Sequence, residues 1–175
     1  MRHEATTPRV AAEDERVERV VICTPDKDLG QCVGGKVWQW DRRQDKWFDA
    51  AGVHERLGVA PASIPDLLAL VGDSADGYPG LAGWGAKSAA RVLAAFGHIE
   101  RIPDDHRLWG VDVARAGMLA AVLKRDRAQA LLFRELATIR TDVPVFDDVD
   151  ELAWRGPTPA FADFEQRLAS ATHPG

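Results

Sequence analysis

The chain has 175 residues, a formal net charge of −5 and 46% hydrophobic residues. That suffices for one domain with a real core, and no apolar run approaches the length of a membrane span. The charged N-terminus (Glu4, Arg9, Glu13, Asp14, Glu15, Arg16) has no apolar centre and is no secretory signal, and two cysteines exclude a disulfide framework, so a cytoplasmic protein is expected. Cys23 and Cys32 read as reduced core thiols. The acidic balance argues mildly against nucleic acid, but metal-binding carboxylates contribute to the count, and bound ions would reverse the local sign.

In chain order, Arg19 to Cys23 (R-V-V-I-C) is a short apolar run that predicts a buried strand. It ends at T-P-D-K-D-L, which puts Asp26 and Asp28 at the C-terminal end of that strand, where ligand sites of open α/β sheets collect. By itself, D-K-D also fits an ordinary turn and helix N-cap. Lys36 to Trp40 and Lys46 to Phe48 alternate around Asp41–Asp45 as a β-hairpin would. Trp38, Trp40 and Trp47 could stack on bases, but packing within the hairpin is the favoured reading. A short helix is predicted over Ala51–Leu57, closing at Gly58.

The next stretch carries most of the information. Ile64 to Val71 predicts a short buried helix with Ser63 as N-cap and Pro65 in its first turn. V-G-D-S-A-D-G-Y-P-G-L-A-G-W-G-A-K-S follows from Val71 to Ser88, with Asp73 and Asp76 three positions apart. Gly80, Gly83 and Gly85 are expected to take positive φ in a tight hairpin stiffened by Pro79. A second helix opens at Ala86-Lys87-Ser88, runs to Phe96 and ends at Gly97. The N–H groups at its start attract anions, and Lys87 adds a point charge suited to phosphate. Carboxylates suit Mg²⁺ or Mn²⁺. The unit reads as helix-hairpin-helix; a plain packing unit with a glycine-rich connector also fits the spacing. Asp28 and Asp73 are 45 positions apart. Were the two pairs to converge, four facing carboxylates would call for a cation.

Val111 to Lys124 and Arg127 to Ile139 predict two longer helices, ended by Arg140–Pro144. Asp147, Asp148, Asp150 and Glu151 read as solvated surface. Pro159 to Ala169 predicts an amphipathic helix with Phe161, Phe164 and Leu168 on one side, and Thr172–Gly175 a disordered end. The five histidines show no ligand spacing and are read as non-catalytic. Basic residues able to face DNA are scattered: Lys87, Arg91, Arg115, Lys124, Arg125 and Arg127.

T-P-D-K-D-L-G-Q followed by G-D-S-A-D-G-Y-P-G-L-A-G-W-G-A-K-S-A resembles the C-terminal half of the bacterial 5'-3' exonucleases, the flap-endonuclease-like nucleases also found as a domain of some DNA polymerases I. The resemblance spans about Val17 to about Pro157. It implies a mainly α fold with a small α/β remnant on the N-terminal side. Residues 1–48 would be that remnant (strand 19–23, acidic turn 24–29, hairpin 36–48), 49–157 the helix-hairpin-helix domain, and 158–175 a closing helix and tail. It further implies that Asp26, Asp28, Asp73 and Asp76 bind divalent metal and carry catalysis. Gly80, Leu81, Gly83, Trp84, Gly85, Lys87 and Ser88 would grip duplex DNA, with K⁺ on the carbonyls around Leu81–Trp84.

The implied reaction is phosphodiester hydrolysis at DNA with a 5' end or flap, by a monomer using two ions about 4 Å apart. Lys27 would sit near the phosphate or, as an ordinary exposed lysine, in solvent. The resemblance also implies a further N-terminal half holding the other metal site, of which Glu4-Ala5 would be the last trace; a frayed terminus is the favoured reading of Glu4. A nuclease lacking that half is expected to lose most of its rate. The competing function is a non-catalytic DNA-binding helix-hairpin-helix module. A purely structural helical protein is the weakest alternative.

Overall fold

The computed structural model describes residues 6–141, 143 and 146–171. The expectations for Glu4, His3, His173 and the final four residues fall outside them. The chain divides into two compact units, Met1–Val145 and Phe146–Gly175.

The first unit opens with α1 (Thr6–Glu13), a helix the charged N-terminal sequence did not announce. A three-stranded sheet follows in the order β1 (Val20–Ile22), β2 (Val37–Asp41), β3 (Lys46–Phe48). β1 runs parallel to β2, and β3 returns antiparallel, with Trp40 opposite Trp47. Those two indoles stack at 5.0 Å, which is the cross-strand packing expected of the hairpin.

β1 is shorter and less buried than its sequence suggests: Val21 is exposed, because β1 is an edge of the sheet. Cys23 is exposed, not a core thiol, and Cys32 is half-buried, with burial pushing its thiol up to about 11.

The helices build the core. α2 (Ala50–Leu57) is capped by Asp49, whose carboxylate accepts from Gly52 N–H at 2.8 Å. α3 (Ile64–Val71) is apolar on nearly every side and is accordingly the centre of the unit, packed against α4 (Ala86–Phe96) and α5 (Ala116–Ala137). Ile64, Leu68 and Leu70 are almost wholly buried, each worth about 2 kcal/mol of transfer free energy. Ser63 makes no side-chain cap; a 3₁₀ turn over Pro61–Ser63 leads straight into α3.

The two predicted long helices are one helix kinked at Asp126 (φ −109°, ψ 18°), and Val111–Arg115 stay outside it. The kink falls in the gap that the sequence left between them.

One charged residue lies inside this core. Asp66 on α3 accepts from Ile99 N–H at 3.0 Å, pairs with His98 Nδ1 at 2.9 Å, and meets Arg134 of α5 at 3.4 Å. A buried carboxylate is tolerable only when so partnered, and removing one partner costs about 3–5 kcal/mol. The cluster gives His98 a structural role and fixes α3, from whose end the acidic turn departs.

The second unit contains a 3₁₀ turn over Val149–Leu152, capped by Asp148, and α6 (Pro159–Ala171). Phe161 and Phe164 lie 6.3 Å apart on α6.

Candidate metal centre and nucleic-acid interface

Two segments form the acidic cleft. The loop leaving β1 is held from beneath by Gln39 on β2, which is fully buried. Its Nε2 donates to the carbonyls of Thr24, at 3.0 Å, and Asp26. Asp26 Oδ1 then accepts from Asp28 N–H at 3.0 Å, which sets the two carboxylates of the pair. Gln39 was not anticipated from the sequence, since a buried glutamine in an alternating strand gives no periodic signal.

The second segment is a closed turn. Asp73 N–H donates to the Tyr78 carbonyl at 2.9 Å and Tyr78 N–H to the Asp73 carbonyl at 3.1 Å. Asp73 Oδ1 also accepts from Ala75 N–H at 2.9 Å. The neck of the turn is a backbone crossing. A Cβ on Gly72 would lie 2.5 Å from the Pro79 carbonyl carbon, and one on Gly80 would lie 2.3 Å from Gly72 N. Both glycines also have positive φ, 88° and 69°. Only glycine satisfies both conditions. Gly72 is a site residue that the sequence reading passed over; its signal was a glycine directly preceding the aspartate.

Lys27 joins the two segments. Its Nζ bonds Asp73 Oδ2 and lies 3.3 Å from Asp28 Oδ1. Lys27 therefore stands between carboxylates drawn from both pairs, as a tethered cation. Burial would lower its pKa, but the Asp73 hydrogen bond and the Asp28 charge outweigh that and raise it. The same hydrogen bond leads the causes that hold Asp73 below the usual carboxylate range. Burial pushes Asp28 up, opposed by Lys27 and reinforced by the charges of Asp26 and Asp73. Asp28 Oδ1 is buried, with the Lys27 ammonium as its charged partner.

Asp26, Asp28, Asp76 and Tyr78, with the end of α5 and the residues that follow it (Leu136–Ile139), line a cleft of about 330 Å³. Gln31 fixes that end of α5, donating to the Ala137 carbonyl at 2.9 Å and accepting from Ile139 N–H at 3.3 Å. The Tyr78 hydroxyl is pushed up, first by burial and then by the charges of Asp28, Asp73 and Asp76. Among the described residues, no three acidic, histidine or cysteine side chains converge on one point in this conformation. An all-carboxylate donor set and a lysine standing in as the cation are what a hard divalent ion would fit.

The second surface is the hairpin. Gly80 and Gly83 have positive φ as expected, but Gly85 is extended (φ −131°) and serves as the N-cap of α4. Its N–H donates to Ser88 Oγ at 3.1 Å, and Ser88 Oγ donates back to the Gly85 carbonyl at 2.9 Å. Leu81 and Trp84 are buried: Trp84 packs on Trp109 at 5.9 Å, and its indole N–H reaches the Leu119 carbonyl at 3.3 Å. Only their backbones are available to a ligand. The Leu81 carbonyl already accepts from Trp84 N–H at 3.1 Å.

Lys87 is exposed at the start of α4. Gly83, Gly85, Lys87, Ser88, Arg91 and Arg115 share one shallow groove. Arg115 precedes α5 in the left-handed region (φ 59°, ψ 29°), and Arg91 donates to the Asp112 carbonyl at 2.8 Å, bracing the approach to it. Lys124, Arg125 and Arg127 are elsewhere engaged, with Asp104, Asp126 and Asp104 respectively. Among the described residues, no helix is long and apolar enough to cross a membrane.

The family model of the 5'-3' exonuclease, C-terminal SAM fold, matches residues 59–160. DNA polymerase I of Pseudomonas aeruginosa is 36% identical over 141 residues, covering 76% of this chain and 15% of that protein. DNA polymerase I of Bacillus caldotenax is 38% identical over 149 residues, covering 83% of this chain and 16% of that protein. Flap endonuclease Xni of Shewanella sp. is 32% identical over 125 residues, covering 71% and 45%. The chain thus spans less than half the length of these relatives. Among solved structures, the T5 5'-exonuclease with bound zinc superposes with a TM-score of 0.62 at 17% identity, over 77% of this chain and 48% of that one. At that identity, the likeness shows a shared fold.

Proposed function

The chain belongs to the 5'-3' exonuclease family, and from that membership we propose that it is a DNA-binding, divalent-metal-dependent 5'-3' exonuclease or flap endonuclease. One observation carries the proposal: Lys27 draws Asp28 and Asp73, 45 positions apart, onto a single ammonium group beside a cleft that Asp26 and Asp76 also line. The relatives include a flap endonuclease, and one T5 structure is a pseudo-enzyme–product complex with DNA and metal ions.

Asp26, Asp28, Asp73 and Asp76 would hold Mg²⁺ or Mn²⁺. Such an ion supplies an activated water and charge neutralisation at the scissile phosphate. Gln39 and the Gly72–Gly80 crossing fix the backbone segments that carry the two carboxylate pairs. With an ion on Asp73, the Lys27 ammonium would be released to face a phosphate oxygen. The α4 N-terminus and Lys87 bind the duplex backbone without reading sequence, with Gly80–Gly85 and Ser88 shaping the turn and K⁺ on the carbonyls near Leu81–Trp84. That grip sets the distance from the bound backbone to the carboxylates.

In this reading, residues 1–48 are a portion of the α/β nuclease core, 49–157 the DNA-gripping helical domain and 158–175 an appended helix and tail. The protein works as a cytoplasmic monomer on DNA bearing a 5' end or flap.

The test is cleavage of a flap-labelled 5'-flapped duplex by this chain in Mg²⁺ or Mn²⁺, beside EDTA and Asp73→Ala. Product lost in both controls is the expected result. No product, with the flap still bound at low salt, would favour the non-catalytic DNA-binding module.

A further inference from the structure

The turn that carries Asp73 and Asp76 ends in a tyrosine whose side chain points inward. Tyr78 is 7% exposed, its ring stacks on Phe133 of α5 at 5.8 Å, and it lines the cleft with Asp26, Asp28 and Asp76. A phenylalanine would fill that place with the same stacking and no polar group to bury. The hydroxyl is instead present, buried, and without a hydrogen-bond partner in the protein, whereas the nearby buried Asp28 Oδ1 has the Lys27 ammonium at 3.3 Å. The protein thus leaves one buried donor without a protein acceptor on the acidic cleft. Each unmade bond is destabilising, and such exceptions in a folded chain call for a specific reason.

We propose that the Tyr78 hydroxyl is a positioning group of the metal centre, donating a hydrogen bond to the hydration shell of a divalent ion held by the carboxylates of the acidic cleft. The proposal rests on the divalent-metal reading above. Small divalent ions keep part of their water shell, and partners that orient that shell change affinity by about 10–100-fold. Asp28 Oδ1 supplies the negative side of the same arrangement, and Tyr78 supplies the donor. Backbone bonds between Tyr78 and Asp73 fix the hydroxyl relative to the carboxylates.

The test uses the whole chain and Mn²⁺ alone. Mn²⁺ binding is measured by electron paramagnetic resonance and calorimetry, and melting is followed separately in EDTA. Tyr78→Phe removes the hydroxyl and keeps the ring; Phe133→Leu removes the stacking partner and keeps the hydroxyl. The expected result is about tenfold weaker Mn²⁺ binding for Tyr78→Phe, with metal-free melting equal to or above that of the parent. Phe133→Leu should melt earlier and hold Mn²⁺ within about twofold of the parent, far less than the second-sphere loss. Equal Mn²⁺ affinity in parent and Tyr78→Phe overturns the role of the hydroxyl alone. So does an equal loss in both variants, or a Tyr78→Phe chain that melts well below the parent, since either marks a packing role. A parent chain that binds no Mn²⁺ overturns the metal reading itself.

Discussion

The acidic cleft takes its carboxylates from two segments 45 positions apart, whereas the basic groove draws most of its groups from one turn and one helix start. The cleft depends on supports the fold supplies: Gln39 buried under one loop, a glycine-on-glycine crossing at the neck of the other, and the half-exposed Lys27 between them. The groove depends on local backbone geometry and exposed cations, with Val113–Arg115 and Leu119 added from farther along the chain. A site that concentrates like charge must be held together by the fold, because the carboxylates repel one another. A site that meets phosphate along a helix N-terminus is assembled by the helix itself.

The sharpest way to break this contrast is at the crossing. Gly80→Ala puts a Cβ against the backbone at 2.3 Å in a positive-φ position and should cost on the order of 3 kcal/mol or more in urea unfolding, because backbone cannot move aside. Gly77→Ala in the same turn has positive φ but open space around it, and should cost only about 1 kcal/mol. Similar losses for the two would mean that the crossing is not what holds the cleft.

In the basic groove, Lys87→Ala should weaken duplex binding uniformly across sequences and reduce the slope of log affinity against log salt by about 1, while Mn²⁺ binding is unchanged. Arg115→Gly should separate strain from charge. It relieves a left-handed non-glycine residue and gains about 1 kcal/mol of stability, yet loses DNA affinity as Lys87→Ala does. A gain in stability with no loss of binding would remove Arg115 from the interface.

The smallest effect belongs to the ion pair beneath α3. The Arg134 hydrogen bond, ahead of other causes, holds Glu100 below the usual carboxylate range. A depressed carboxylate contributes stability above its unfolded pKa of about 4.3 and loses it as pH falls through the lower folded value. Glu100→Gln should therefore lower the melting temperature slightly at pH 7, with the difference from the parent closing below about pH 4. The exposed side of the pair keeps the effect small.

Much of this molecule was legible in its residues. The helix-hairpin-helix, the hairpin strands and the apolar α3 follow from periodicity, caps and glycine–proline punctuation, all local signals. Asp26, Asp28, Asp73 and Asp76 were singled out by spacing and by resemblance. The misses share a cause. Cys23 and Val21 read as buried because an apolar run does not disclose that its strand is an edge. That the Leu81 and Trp84 side chains face the core, leaving only their backbone outward, was likewise not readable from the hairpin sequence. Gly85 looked like its neighbours and took an extended conformation because the helix start needed an N-cap there.

The sequence by itself determined which segments become helices and turns, and which carboxylates stand in pairs, because those depend on neighbours a few residues away. Tertiary structure alone decided that the two pairs share a cleft, that Lys27 bridges them, that Gln39 and Gly72 hold them, and that the Tyr78 hydroxyl is buried without a partner. Those facts depend on contacts between segments remote in sequence, and no local pattern encodes which remote partner a buried polar group will meet.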